Sequence, residues 1–151
     1  MATSNSEATA VAIRDLNINW GQIDGEDKTA VLQDAYITQN PNAEDERALL
    51  DSAEVRLSYN FTHNKVNPAF RAQLQQRGYA DIYLFDNAGN MVYSVAKRED
   101  FAQNFNGGGG EAASTRLGEV YRAAALIEER GPVVFADFAP YAFNHDQAAA
   151  F

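Results

Sequence analysis

The segment from residue 79 to 101, YADIYLFDNAGNMVYSVAKREDF, constrains the fold more than any other part of the chain. Its side chains alternate with a period of two: Ile82 and Leu84 point to one face of a strand, and Tyr83 and Phe85 to the other. The turn sequence DNAGN supplies Asn and Gly, which tolerate the positive φ that a tight turn demands. The segment therefore predicts a β-hairpin.

The second strand of this hairpin follows the same rule after the turn. Met91, Tyr93 and Val95 share one predicted face, and Val92 and Ser94 share the other. We expect two antiparallel strands at the centre of a small sheet.

The first 78 residues carry a different, helical period. Apolar residues recur at near-helical spacing over 11–23 and again over 31–36, which predicts two helices or one helix broken near Asp24-Gly25. The chain must turn at Asn40-Pro41, because the residue before a proline is pushed out of the helical region.

A further helix is expected before the hairpin, in SYNFTHNKVNPAFRAQLQQRG. Pro68 suits the first turn of a helix, Phe70 and Leu74 share a face, and Gly78 can supply a left-handed cap. Residues 1–78 are thus predicted to form a mainly helical segment.

The C-terminal third predicts one more helix and more sheet. STRLGEVYRAAALIEERG has an apolar stripe typical of a helix ending near Gly131, and PVVFADF (132–138) predicts a third strand. AAAF (148–151) resembles the start of another strand, so we expect a parent chain that continues past Phe151. The predicted fold is a single α+β domain, with an antiparallel sheet and one helix over residues 79–151.

Composition excludes several classes of partner and chemistry. The net charge is −9, which repels nucleic acid phosphates, so no nucleic acid partner is expected. The chain has no cysteine, which excludes disulfides and thiolate chemistry. It also has no apolar run near the roughly 18 residues that a membrane helix needs.

No catalytic motif is present in the sequence. The serines lie in no GxSxG elbow, and His63 and His145 have no metal-ligand spacing. We therefore expect no enzyme activity, no metal and no cofactor, and we interpret His63 as a hydrogen-bonded structural or pocket histidine.

Polar residues on the predicted strands are the remaining candidates for a site. Asp137 lies within the apolar run VVFADF, where a buried carboxylate needs a partner. That partner could be Lys97, Arg71 or a cationic group of a ligand.

Several segments together resemble a known family: LQDAYITQNPNAEDERALLDSA, SYNFTHNKVNPAFRAQL, the hairpin, LGEVYRAAA and VVFADFAPYAFNHDQAAAF. In this order they are similar to the extracytoplasmic sensor region of bacterial methyl-accepting chemotaxis proteins, a Cache-type domain with a PAS-like sheet. The resemblance runs from about residue 31 to the end of the chain. It implies a helical layer and an antiparallel sheet that holds a small-molecule pocket.

The resemblance also implies a function. The chain is expected to be a periplasmic ligand-sensing domain of an inner-membrane chemoreceptor, anchored by helices outside this sequence and dimeric in the parent receptor. Similar modules occur on histidine kinases and nucleotide cyclases, and a structural dimerisation module without ligand is a further alternative. The ligand is expected to be a small molecule such as an amino or organic acid.

The predicted ligand-binding residues come from the helix before the hairpin, the hairpin itself and the third strand with its exit. They are Tyr59, His63, Arg71, Tyr83, Tyr93, Ser94, Lys97, Asp137 and Tyr141.

Overall fold

The computed structural model describes residues 2–108, 110–128 and 133–151, and it combines helices with two small antiparallel sheets. The helices are α1 (Ala2–Gly21), α2 (Lys28–Gln33), which continues as a π-helical turn (Asp34–Thr38), α3 (Tyr59–Arg77) and α4 (Arg116–Ala125), with 3₁₀ helices at Glu44–Leu49, Ala112–Ser114 and Ala142–Asn144. The strands are β1 (Tyr83–Phe85), β2 (Met91–Ser94), β3 (Ala139–Pro140) and β4 (Ala148–Ala149). The predicted α+β class and the mainly helical first half are confirmed.

The break between α1 and α2 lies where the sequence predicts it. Gly25 adopts a φ of +99°, which an L side chain rarely accepts. Asp27 then caps α2, because its carboxylate accepts a hydrogen bond from the Ala30 N–H at 2.9 Å. Leu16 and Leu32, one from each helix, are both fully buried.

The helix α3 is longer at its start than expected. The position predicted for Pro68, in the first turn, is wrong, since α3 begins at Tyr59 and Pro68 lies inside it. Both Pro68 and Asn64, whose carbonyl loses its helical partner, are exposed to solvent, which can hydrogen-bond that carbonyl. The predicted end is confirmed, because Gly78 is left-handed at φ +69°.

The hairpin of β1 and β2 forms as predicted, but its second strand contains a β-bulge. Leu84 pairs with Tyr93 and Phe85 pairs with Met91, so Val92 is the extra residue. The bulge separates Met91 from Tyr93, which the simple alternation placed on one face. Tyr93 packs in the core cluster with α1 and α3, and Met91 packs in a second cluster with α4 and the C-terminus.

The predicted third strand over 132–138 is wrong for the residues that the structure describes. Val133, Phe135 and Phe138 are 90%, 69% and 70% exposed, and only Ala136 makes a strand-like pair of hydrogen bonds, with Phe151. A short second hairpin forms instead from β3 and β4, which makes AAAF part of a strand. Within the described residues, the strands therefore form two separate antiparallel pairs rather than one three-stranded sheet.

The helix α4 ends earlier than expected, at Ala125, and the predicted cap at Gly131 lies outside the described residues. Thr115 caps its start by accepting a hydrogen bond from the Gly118 N–H. Among the described residues, no helix is both long and apolar enough to cross a membrane.

Candidate functional site

The first group of predicted residues is packed between α3 and β2. We define the inner cluster as Tyr36, Tyr59, His63, Tyr93, Lys97 and Phe101. All six side chains are fully buried or nearly so, and Tyr59 donates a hydrogen bond to the Val92 carbonyl at 2.6 Å. The structure thus brings together four of the predicted site residues, Tyr59, His63, Tyr93 and Lys97.

His63 lies at the centre of this cluster among three tyrosine rings. The ring centroid of Tyr36 is 4.4 Å away, and those of Tyr93 and Tyr59 are 5.5 and 5.7 Å away. Its Nδ1 lies 2.7 Å from the Asp51 carbonyl, which can only accept, so Nδ1 carries the proton. Burial, and then the nearby charge of Lys97, lower the pKa of His63 well below its usual value, and the imidazole is neutral.

Lys97 is the most unusual member of the inner cluster. Its backbone is left-handed at φ +55°, and its ammonium donates to the Ser94 carbonyl. The ammonium also lies 4.3 Å from the Tyr93 ring centroid and 5.1 Å from that of Phe101. Burial lowers the pKa of Lys97 to about 7, although the charge of Asp81 opposes the shift. Cation–π contacts take the place of part of the lost hydration.

Ser94 and Arg71 support the inner cluster from its edges. The Ser94 hydroxyl accepts a hydrogen bond from the Lys97 N–H at 2.9 Å, which fixes the turn after β2. Arg71 binds the Asp51 carboxylate at 2.9 Å and the Ala48 carbonyl at 2.8 Å. Arg71 therefore joins α3 to the segment before it.

The second group lines an open cavity on the other side of the hairpin. We define the outer cleft as the 330 Å³ cavity between β1, α4 and the β3–β4 hairpin. It contains two of the predicted site residues, Tyr83 and Tyr141. Its principal walls are Asp81, Tyr83, Arg98, Val120, Tyr141 and Phe151.

The two tyrosines meet a buried carboxylate behind the cleft. The Tyr141 hydroxyl donates to Asp100 Oδ2 at 2.7 Å, while Asp100 Oδ1 has no hydrogen-bond partner among the described residues. Burial raises the pKa of Asp100 to about 7. Burial also raises the pKa of Tyr83, with the charges of Asp81 and Asp100 adding to the effect, so its hydroxyl stays protonated.

Asp81 stands at the boundary between the inner cluster and the outer cleft. Its Oδ1 accepts backbone hydrogen bonds from Ile82, Val95 and Ala96 at 2.7, 2.9 and 3.0 Å. Burial raises its pKa nevertheless, against these bonds and the charges of Lys97 and Arg98. Only 2% of its side chain is exposed.

Sequence reasoning predicted a buried Asp137 that pairs with Lys97 or Arg71 or binds a ligand, and the structure contradicts its burial and both pairings. Asp137 is exposed, its carboxylate accepts a hydrogen bond from the Phe138 N–H at 2.7 Å, and it pairs with neither Lys97 nor Arg71. The reason is that residues 133–138 do not enter a sheet, so the apolar run around Asp137 is not buried.

Sequence reasoning also missed three functional candidates: Asp81, Arg98 and Asp100. Asp81 lies just before β1 in YADIY, and Arg98 and Asp100 follow β2 in KRED. A signal was present for Asp81, because an acid just before a buried strand is one that the fold can enclose, but Asp100 lies well beyond the end of β2 and carried no such signal.

A larger groove of 580 Å³ adjoins the outer cleft and shares Arg98 with it. Its rim is formed by Glu44 of the 3₁₀ helix and His145 of the second hairpin, whose side chains contact each other at 3.0 Å and are both largely exposed. We favour the outer cleft as the candidate site, since its polar groups are the more buried and the less satisfied.

Comparison with known proteins adds no assignment to this geometry. No family model, no curated protein and no solved structure matches the chain.

Proposed function

We propose that the chain is a ligand-sensing domain that binds a small molecule in the outer cleft. The observation that carries the proposal is the cleft itself. Its 330 Å³ lies within the range of small-molecule pockets, about 300–1,000 Å³. Aromatic walls surround a few convergent polar groups, of which Asp81 is nearly fully buried.

The absence of a reaction centre in the cleft favours binding over catalysis. Its carboxylates are Asp81, whose Oδ1 is held by three backbone N–H groups, and Asp100, which lies behind Tyr141. Tyr141 and Asp100 are within hydrogen-bond reach of each other, but Asp100 is buried behind the wall and does not line the cleft. Among the residues that line the described part of the cleft, no general base contacts a nucleophile. The proposed role therefore requires no bond to be made or broken.

The contacts of the loop after β2 give the proposal a route for a signal. Arg98 faces the cleft, while its neighbour Lys97 reaches the inner cluster. The Lys97 carbonyl accepts from Arg47 at 3.1 Å, and the Phe101 carbonyl accepts from Gln33 at 2.8 Å. A ligand that moves this loop would thus move the helical layer. The shift is limited by the difference in the ligand's affinity for the two states.

The proposal extends to the fold type of the domain and to the protein that carries it. We infer a PAS-like, Cache-type fold and a periplasmic position in an inner-membrane chemoreceptor that is dimeric. The support is the ordered resemblance of the segments, together with a helical first half and a central antiparallel hairpin. The alternative is that the sensor domain belongs to a histidine kinase or a nucleotide cyclase instead of a chemoreceptor.

Binding can be tested by thermal unfolding of the chain against a library of metabolites. A ligand at a hundred times its dissociation constant stabilises by about 2.7 kcal/mol, which is a rise in Tm of roughly 5–10 °C for a domain of this size. Hits are then measured by calorimetry.

A blocking variant locates the binding site. Val120→Trp places a large ring on the wall of the cleft, and we expect it to abolish binding. Ala124→Trp is the matched control, because Ala124 lies on the same helix but is exposed. A library without hits, or a hit that Val120→Trp leaves unchanged, contradicts the proposal.

A second candidate function is a structural dimerisation module. The specific observation is the exposed row of Val133, Phe135 and Phe138, because large exposed apolar surface is typical of an interface. Sedimentation of the chain, with Phe135→Ser alongside, tests it: a dimer that the substitution dissociates supports this function.

A further inference from the structure

Asn106 lies directly before a glycine in an exposed loop. The segment FNGGGG (105–110) contains the only Asn-Gly pair in the sequence. Both Asn106 and Gly107 are exposed, and Gly107 adopts a φ of +87°. Neither the Asn106 side chain nor the Gly107 backbone N–H makes a hydrogen bond to any described residue. Both groups are therefore free to react with each other.

The chemistry of such a pair depends on access of the glycine nitrogen to the asparagine side chain. Asparagine is one of the thermally labile residues, since its side-chain amide carbon can be attacked by the backbone nitrogen of the next residue. Gly107 has no Cβ to hinder that approach. The surroundings are open as well, because a Cβ built on Gly107 would have no neighbour within 4 Å.

Asn104, two residues earlier, shows how the fold protects an asparagine. Its side-chain amide donates to the Ala88 carbonyl and to Asn90 Oδ1, both at 2.9 Å. The next nitrogen, that of Phe105, donates to the Gly89 carbonyl at 2.8 Å. Both reacting groups at Asn104 are thus held by other partners.

Asn64 shows that exposure alone is not sufficient. Its side chain is exposed on α3, as the side chain of Asn106 is in the loop. The next residue, Lys65, lies inside α3, where helical hydrogen bonds hold the backbone N–H groups. Asn106 therefore combines exposure, a following glycine and a free nitrogen, which neither Asn104 nor Asn64 does.

We propose that Asn106 is a modification site at which the chain deamidates without an enzyme, with water as the only co-reactant. The Gly107 nitrogen attacks Asn106 Cγ, so a C–N bond forms and the Cγ–NH₂ bond breaks. The proton of the Gly107 nitrogen passes through solvent to the leaving group, which departs as ammonia. Water then opens the cyclic succinimide. Opening at Cγ gives aspartate, and opening at the main-chain carbonyl carbon gives isoaspartate, and nothing is oxidised or reduced.

The modification changes the surface beside the turn of the first hairpin. Asn106 Cβ packs directly against Gly89 in that turn, leaving no room for a Cβ there. The Asn106 N–H also donates to Asn104 Oδ1 at 3.0 Å. Each product adds a negative charge at this place. The aspartate product keeps Cβ in the side chain and so keeps the contact with Gly89, whereas isoaspartate moves Cβ into the main chain and disturbs it.

The first experiment follows the folded chain during incubation in mildly alkaline buffer. Trypsin releases the peptide 99–116, which contains both Asn104 and Asn106, and fragment mass spectra show which of the two has become an acid. We expect conversion at Asn106 to be at least about tenfold faster than at Asn104 or Asn64, which corresponds to a barrier lower by about 1.4 kcal/mol. Equal rates at the three positions would overturn the inference.

A matched pair of variants tests the role of the following glycine. Gly107→Ala keeps Asn106 but adds a Cβ beside the attacking nitrogen, and we expect it to slow conversion at least about tenfold. Gly108→Ala is the control, because it lies in the same loop at positive φ and its Cβ also has no neighbour within 4 Å. It should leave the rate unchanged, and equal slowing by both variants would contradict the mechanism. Thermal unfolding verifies that both variants are folded.

A comparison with the denatured chain tests whether the fold leaves Asn106 open, and it needs no variant. In denaturant, Asn104 loses its hydrogen bonds and should deamidate faster than in the folded chain. Asn106 should react at rates within about tenfold of each other in the two states, because the fold does not restrain it. A much slower rate in the folded chain would show that the loop shields Asn106, and the inference would be wrong.

Discussion

The inner cluster and the outer cleft lie on opposite sides of one hairpin, and they differ in the open space beside them. Each buries a polar atom that has no hydrogen-bond partner among the described residues, His63 Nε2 in the cluster and Asp81 Oδ2 at the cleft. In the inner cluster, Tyr59 and Tyr93 donate their hydroxyl hydrogens to Val92 and Asn67 at 2.6 and 2.7 Å. In the outer cleft, Asp81 Oδ2 is buried and makes no hydrogen bond to any residue that the structure describes. The difference teaches that burial of polar side chains alone does not mark a site. A site is marked where burial coexists with an unmet hydrogen bond and open space.

The largest expected effect distinguishes packing from recognition. Tyr59→Ala should reduce the free energy of unfolding by about 3–5 kcal/mol, because it empties a fully buried position of the inner cluster. Tyr79→Ala, at the 51% exposed edge of the outer cleft, should cost under about 1 kcal/mol. Urea unfolding at a single pH measures both. Equal losses would remove the distinction between the two regions.

The next effect concerns Asp100, behind the cleft. Burial raises its pKa to about 7, whereas the unfolded carboxyl titrates near 4. Between these values the folded state holds the proton and the unfolded state has lost it, so this contribution to stability is lost as pH rises through about 7. As the pH is raised from 4 to 7.5, the free energy of unfolding of Asp100→Asn should therefore rise relative to that of the wild type by roughly 2–4 kcal/mol.

Denaturant midpoints of both proteins across that pH range test the prediction for Asp100. Asp34→Asn is a suitable control, as a carboxylate on the helical side of the molecule. Parallel pH profiles for Asp100→Asn and the wild type would show that Asp100 has no raised pKa.

The smallest effect concerns His63 in the inner cluster, and its sign is opposite. Burial lowers its pKa, so below about 6.5 the unfolded state binds a proton that the folded state does not. As the pH falls from 6.5 to 5.5, the free energy of unfolding of the wild type should decrease by roughly 1 kcal/mol relative to that of His63→Gln. Glutamine is chosen because it can still donate a hydrogen bond to the Asp51 carbonyl. Stability curves of the two proteins check this. A constant difference would mean that His63 titrates alike in both states.

Much of the local structure could be predicted, because it depends on neighbours in the chain. The turn DNAGN and the alternation around Leu84 predicted the hairpin, and Gly78 predicted the end of α3. The bulge at Val92 could not be predicted, since it makes Phe85 pair with Met91 while the alternation of side chains in the sequence stays the same. The position of Pro68 in the helix was predicted wrongly. A proline inside a helix leaves the carbonyl four residues earlier without a partner, and the free-energy cost depends on whether solvent reaches that carbonyl, as it does at Asn64.

The candidate site was predicted less completely. Tyr83 and Tyr141 do line the cleft, while Tyr59, His63, Tyr93 and Lys97 occupy the inner cluster. Alternation assigned Tyr83 and Tyr93 to the hairpin, but it could not decide which side of the bulge each would occupy. The burial predicted for Asp137 is wrong for a different reason, since an apolar sequence leads to burial only where a partner surface exists.

The sequence by itself determined the helical first half and the central hairpin, because hydrophobic period and turn residues are local properties. Only the tertiary structure decided that Asp81, Arg98 and Tyr141 share a cleft and that Lys97 turns away from it. The physical reason is that these positions are set by contacts between distant segments, such as Tyr141 with Asp100 across 41 residues. Such contacts depend on which surfaces remain free once the local elements have packed.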